Sequence, residues 1–133
     1  MYGNTYWSDF YHRVLILEFT KDWCDNDYSH LIKESVNMLN YVRHKVAIVI
    51  DFSHSNSGLR TTDTYPMWLE TIQEWRKTSS YADFWITVNP SPCEHIVLWT
   101  IGLVYNPTNI VMNCQYKACQ VALKKLNAMQ GSS

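Results

Sequence analysis

Continuous apolar runs that alternate with segments of helical period constrain this chain more than any other feature. Residues 13–20, 46–52 and 84–88 are rich in β-branched and aromatic side chains and lack polar alternation. Strands buried on both faces of a largely parallel sheet have that pattern. A shorter run, 109–112, follows Asn106-Pro107, which ends the helix before it. Residues 4–7 suit an edge strand, turned at Ser8-Asp9 and paired with 13–20 as a hairpin.

Between the runs the period becomes helical. Tyr28, Leu31, Ile32, Ser35, Leu39 and Val42 line one face of a helix predicted over 25–43. Asp25 and Asp27 open it and Arg43, His44 and Lys45 close it, the sign order that the helix dipole prefers. A second helix, 65–77, carries Tyr65, Trp68, Leu69, Ile72 and Trp75 as its buried stripe, with Pro66 in its first turn. The sharpest start signal is Ser91-Pro92-Cys93-Glu94, a hydroxyl cap, a proline and a box-closing glutamate, which begins a helix running to 105. A last helix, 114–128, sets Ala118, Cys119, Ala122, Leu123 and Leu126 on one side. The expectation is one α/β domain over 1–130, with four or five mostly parallel strands, an N-terminal edge strand or hairpin and four helices. Residues 131–133 are expected to be a disordered tail.

Composition narrows the function classes. With 47% apolar and 17% charged residues, the 133-residue chain belongs with folded domains. A net charge of -1 supplies no basic field for phosphate backbones or anionic lipid, and no acidic field either, so no nucleic-acid partner is expected. No membrane span is expected either, since the apolar stretch 96–105 is broken by Thr100 and Gly102. The start, Met1-Tyr2-Gly3-Asn4-Thr5, lacks the basic and apolar regions of a signal peptide, which points to a cytoplasmic protein. Cys24, Cys93, Cys114 and Cys119 lack paired spacing and are expected to be reduced, mostly buried thiols. The five histidines show no metal-ligand spacing, and no cofactor is expected.

Several residues carry a resemblance. Tyr6-Trp7 precedes the apolar strand Val14-Leu15-Ile16-Leu17-Glu18-Phe19, which runs into Trp23 and the acidic helix start Asp25-Asn26-Asp27-Tyr28. Tyr41-Val42-Arg43-His44 then leads to Val46-Ala47-Ile48-Val49-Ile50-Asp51, a buried strand closing on aspartate. On these features the chain resembles the STAS-like families, the fold of bacterial anti-sigma-factor antagonists, and especially their short stand-alone members of uncharacterised role. The resemblance implies a signalling module that binds a protein partner and is switched by phosphorylation after the central strand. The corresponding loop, Asp51-Phe52-Ser53-His54-Ser55-Asn56-Ser57-Gly58-Leu59, keeps the Ser-Gly-Leu ending but departs earlier. Asn56 stands where the first serine of the pair would be, and Ser55 where the aspartate would be. Ser53, Ser55 and Ser57 are the candidate acceptors, and a phosphate there would add about two negative charges.

Ligands of open α/β sheets gather beyond the carboxyl ends of the strands, where 20–22, 53–57 and 89–91 could share a rim. Asp51, His54 and a neighbouring serine are types suited to acid–base or nucleophilic work, or simply to capping a loop. The segment Phe19-Thr20-Lys21-Asp22-Trp23-Cys24 is superficially similar to a thioredoxin-like site but lacks the second cysteine. Residues 96–105, apolar almost all round, call for burial on two sides, either by a second copy of the chain or by a fully covered central position. The leading expectation is a non-enzymatic regulatory or interaction module that docks a protein through Asp51, Ser53, His54, Ser55, Asn56 and Ser57. A small-molecule or lipid-binding domain with an apolar cleft and a small hydrolase on the same rim are the alternatives.

Overall fold

A computed structural model describes residues 2–56, 64–105 and 110–131. The elements run β1 (Gly3–Trp7), β2 (Val14–Lys21), α1 (Asp25–Tyr41), β3 (Val46–Ser55), α2 (Thr64–Arg76), β4 (Tyr81–Val88), α3 (Pro92–Tyr105), β5 (Ile110–Met112) and α4 (Gln115–Gly131). The strands form one sheet in sequential order, with β1 antiparallel to β2 and every other pair parallel. The expected α/β architecture, N-terminal hairpin included, is the observed one. Among the described residues no helix is long and apolar enough to cross a membrane.

Period-2 alternation along the inner strands divides the interior into two cores. Leu15, Leu17 and Phe19 of β2 and Ile48, Ile50 and Phe52 of β3 pack with Leu31 and Leu39 of α1, Trp68, Ile72 and Trp75 of α2, and Leu98 and Ile101 of α3. Val14, Ile16, Ala47, Val49 and Ile86 form the other core, covered by Ala118, Ala122 and Leu126 of α4. Three helices therefore lie on one face and α4 alone on the other. Two buried polar contacts orient the larger core. Trp75 Nε1 donates to Ser35 Oγ at 2.9 Å, and Tyr28 OH pairs with Thr71 Oγ1.

The edge strand requires a glycine. Gly3 has φ +154°, and a Cβ there would stand 2.7 Å from both the Glu18 carbonyl oxygen and Leu31 Cδ1. Only a residue without a side chain lets β1 approach β2 and α1 so closely.

Several boundaries differ from the sequence expectation. Helix α1 stops at Tyr41 because Val42 turns to extended geometry (φ -108°, ψ 157°), so Arg43, His44 and Lys45 lie past its end and do not charge its last turn. The polar ends of His44 and Lys45 serve the loops instead. His44 Nε2 sits 2.8 Å from the His12 carbonyl, and Lys45 Nζ donates to the Ser79 carbonyl at 2.9 Å. Strand β3 continues to Ser55, three residues past the expected end, because a bulge carries its polar tail on along β2. Strand β4 begins at Tyr81, and α4 continues to Gly131. All four cysteines are thiols, as expected, yet none is fully buried: Cys24 is exposed and the other three are half-buried.

Helix α3 is buried on one side only. Val97, Leu98 and Ile101 face the core, while Ile96, Trp99, Leu103 and Val104 are exposed, Val104 by 73%. A fully covered central position is therefore not what the fold provides.

Candidate functional site

The rim of the sheet follows from topology. With sequential strand order, α2 and α3 leave β3 and β4 toward the same face, whereas α4 leaves β5 toward the opposite one. The loops after β4 and β5 therefore diverge, the geometry that opens a crevice at the carboxyl end of a parallel sheet. A crevice of about 550 Å³ lies there, lined by Asn89, Pro90, His95, Val111, Met112 and Asn113. A neighbouring cavity of about 240 Å³ includes Ser53, Ser55, Asn89, Pro90, Ser91 and Glu94 in its lining. Asn89 and Pro90 belong to both.

Asp51 anchors the polar groups below these openings. It is 2% exposed. One carboxylate oxygen accepts from Ser53 N at 2.8 Å and from Ser53 Oγ at 2.6 Å, and the other from Gln115 Nε2 at 2.7 Å. Ser53, exposed itself, also accepts from Asn89 Nδ2 at 2.9 Å. Asn89 adopts φ 49°, and its amide reaches the Asn113 carbonyl at 3.2 Å, bracing β4 against the loop before α4. Asparagine tolerates that left-handed conformation better than most residues.

A second carboxylate stands beside the first, since Glu18 is the register partner of Asp51 on β2. Like charges so placed need a donor between them, and Gln115 supplies it, reaching Asp51, Glu18 Oε2 at 3.3 Å and Tyr6 OH at 3.0 Å. Tyr6 donates its own hydroxyl to Glu18 at 3.1 Å. Burial pushes the Tyr6 phenol up to about 12; the Gln115 contact opposes this, and the Glu18 and Asp51 charges reinforce it.

The structure brings together only part of the expected set. Asp51 and Ser53 meet in one network, but the bulge in β3 inverts the alternation beyond it. His54 pairs in register with Thr20, and no hydrogen bond joins it to Asp51 or Ser53 among the described residues. Ser55 accepts from Trp23 Nε1 at 2.7 Å, fastening the rim to the larger core. Asn56 is exposed, and its backbone N–H donates to the Lys21 carbonyl at 2.7 Å. Ser57 lies outside the described residues.

Tyr6, Glu18 and Gln115 were missed by sequence reasoning. A signal for Glu18 did exist. Glu18 and Asp51 are each the first charge after an apolar run, Val14 to Leu17 and Val46 to Ile50, and parallel pairing of those runs sets the two acids side by side. Nothing local marked Gln115.

The arrangement can hold a hydroxyl in a fixed direction and present amide and carbonyl groups to a polar ligand. Among the described residues, no group of three or more His, Cys, Asp or Glu could hold a metal ion. No family model matches the chain, and no curated protein matches it either.

Proposed function

We propose that the chain is a non-enzymatic regulatory module that docks a protein partner at the carboxyl end of its sheet, with Ser53 as the switch. The observation carrying this reading is that Ser53 is exposed while its hydroxyl is committed to Asp51 and Asn89. A phosphate on that oxygen removes the hydrogen given to Asp51 and sets two or so negative charges against a buried carboxylate. The rim must then rearrange around Asn89 and the crevice beside it. The resemblance to STAS-like antagonists supports the same reading, and a cytoplasmic signalling role goes with it. The separation of His54 from the Asp51–Ser53 pair gives less support to a hydrolase.

The test is partner capture by the full chain against Ser53→Asp, Ser53→Ala and Ser55→Asp. The reading expects a partner kept by the wild type and by Ser53→Ala but lost by Ser53→Asp. Equal capture by all four would remove Ser53 as the switch.

The crevice between β4 and β5 favours a second reading, a small polar ligand held by Asn89, His95 and Asn113. Such a ligand would travel with the purified protein. A homodimer through the exposed side of α3 is part of the first reading, supported by the uncharged apolar surface of Ile96, Trp99, Leu103 and Val104.

A further inference from the structure

The near-neutral total of -1 hides where the charges lie. Glu18, Asp22, Asp25, Asp27 and Asp51 outnumber Lys21 at the carboxyl end of the parallel strands, while Arg13, Arg43, Lys45, Arg76 and Lys77 outnumber Asp9, Glu74 and Asp83 at the opposite end. At that second end the β1–β2 turn projects two aromatic side chains, Phe10 exposed by 90% and Tyr11 by 75%. The turn is closed by Ser8 N donating to the Val14 carbonyl at 2.9 Å, and by the Asp9 carboxylate accepting from Arg13 N at 2.9 Å. It is a built tip. Asp9, the acid within it, is occupied with the turn's own backbone.

Tyr41, exposed by 88%, stands at the end of α1 beside this turn, where it lines an apolar depression with Trp7, His12, Met38 and Val42. His12 stacks on Trp7 at 4.7 Å, and His44 Nε2 contacts the His12 carbonyl at 2.8 Å, so the α1–β3 loop and the hairpin form one surface. Three exposed aromatic rings share it with the exposed Arg43, backed by two cations held in place: Arg13 Nη2 donates to Asn127 Oδ1 at 2.7 Å, and Lys45 Nζ to the Ser79 and Tyr81 carbonyls at 2.9 and 3.4 Å.

From this surface we infer that the chain docks peripherally on an anionic lipid bilayer, with Phe10 and Tyr11 entering the interface, Arg43 facing the headgroups and the charges of Arg13 and Lys45 behind it adding to the attraction. Aromatic side chains favour the headgroup level, and basic groups beside them add attraction to acidic lipid. Shape decides against a nucleic acid. Single strands bind along grooves with aromatic platforms, whereas Phe10 and Tyr11 stand edge-to-face at 88° on a protruding turn. A deformable interface admits such a wedge. Docked this way, the chain turns the Ser53 rim away from the bilayer, so membrane attachment and partner binding are compatible and independently testable.

The test is co-sedimentation of the full chain with phosphatidylcholine vesicles, with and without phosphatidylserine as about a third of the lipid. Binding is expected only to the anionic vesicles and is expected to be released by added salt. The double change Phe10→Ser, Tyr11→Ser should weaken it by about tenfold or more. Arg43→Glu should weaken it by about fivefold or more, and because these side chains are exposed, circular dichroism should be unchanged in both proteins. Absence from the anionic pellet, equal binding to neutral vesicles or indifference to both changes would each overturn the inference. So would tight capture of a single-stranded oligonucleotide, sensitive to the same changes, by a chain that ignores vesicles.

Discussion

Gln115 donates its side-chain amide to the Asp51 carboxylate at 2.7 Å, joining the first residue of α4 to the carboxyl end of the central strand. The same carboxylate holds Ser53 from its other oxygen. One side chain thus links the switch proposed on the rim to the helix that covers the second face of the sheet. A change at Ser53 has a short physical route to α4.

Removing that link should be costly. Gln115→Leu leaves Glu18 and Asp51 adjacent with their shared donor gone, and a loss of about 2 kcal/mol in urea unfolding is expected. Gln115→Glu adds a third carboxylate and should destabilise more at neutral pH, with part of the loss recovered in mild acid as a carboxyl takes up a proton. Equal behaviour of the two variants at every pH would contradict the account of the cluster.

Tyr6 contributes to an alkaline limit. Its phenol is pushed from 10.0 in the free side chain to about 12 in the fold, so the folded state holds the proton more tightly than the unfolded chain does. The resulting stability is complete below about pH 10 and disappears as pH rises through about 12. Burial raises the Tyr28 and Tyr81 phenols as well, so Tyr6→Phe should make that part of the stability profile less steep rather than flat, and phenolate absorbance should show one fewer late-titrating tyrosine.

Gly3→Ala tests the attachment of the edge strand. A methyl group 2.7 Å from a backbone oxygen and from Leu31 Cδ1, at φ +154°, must displace β1 or α1. A cost of about 2 kcal/mol is expected by thermal unfolding. Asn4→Ala, at the next and exposed position, should stay within about 0.5 kcal/mol.

The exposed side of α3 makes a prediction about association. Leu103 is 61% exposed, so Leu103→Lys should leave folding stability within about 0.5 kcal/mol. In sedimentation the wild type should show a mass that rises with concentration, and the variant a single-copy mass. Association that survives the change would move the contact off α3.

Some of this was legible in the residues. The runs 13–20, 46–52 and 84–88 were readable as strands because both faces of the sheet are covered, leaving no polar alternation to confuse the period. The cap of α3 was readable because its chemistry is local: Ser91 N donates to Glu94 Oε1 at 3.0 Å, and Glu94 N to Ser91 Oγ at 3.3 Å. Half of the candidate site was readable too, since Asp51 and Ser53 are neighbours in the chain. The bulge that turns His54 aside was hidden, because bulges follow from pairing with another strand. Gln115 was hidden for the same reason. Its contact with Asp51 spans 64 residues and exists only once α4 has crossed to its own face.

If the carboxyl-end rim is the protein-docking switch proposed, with Ser53 at its centre, phosphate on Ser53 and a bound partner exclude one another. Native mass spectrometry of the chain isolated with its cellular partners reads stoichiometry, bound small molecules and phosphate in one spectrum. A protein complex containing unmodified chain is expected, and unbound chain carrying one phosphate that maps to Ser53. A partner-free chain carrying a stoichiometric small molecule, or phosphate at Ser53 within the complex itself, would contradict it.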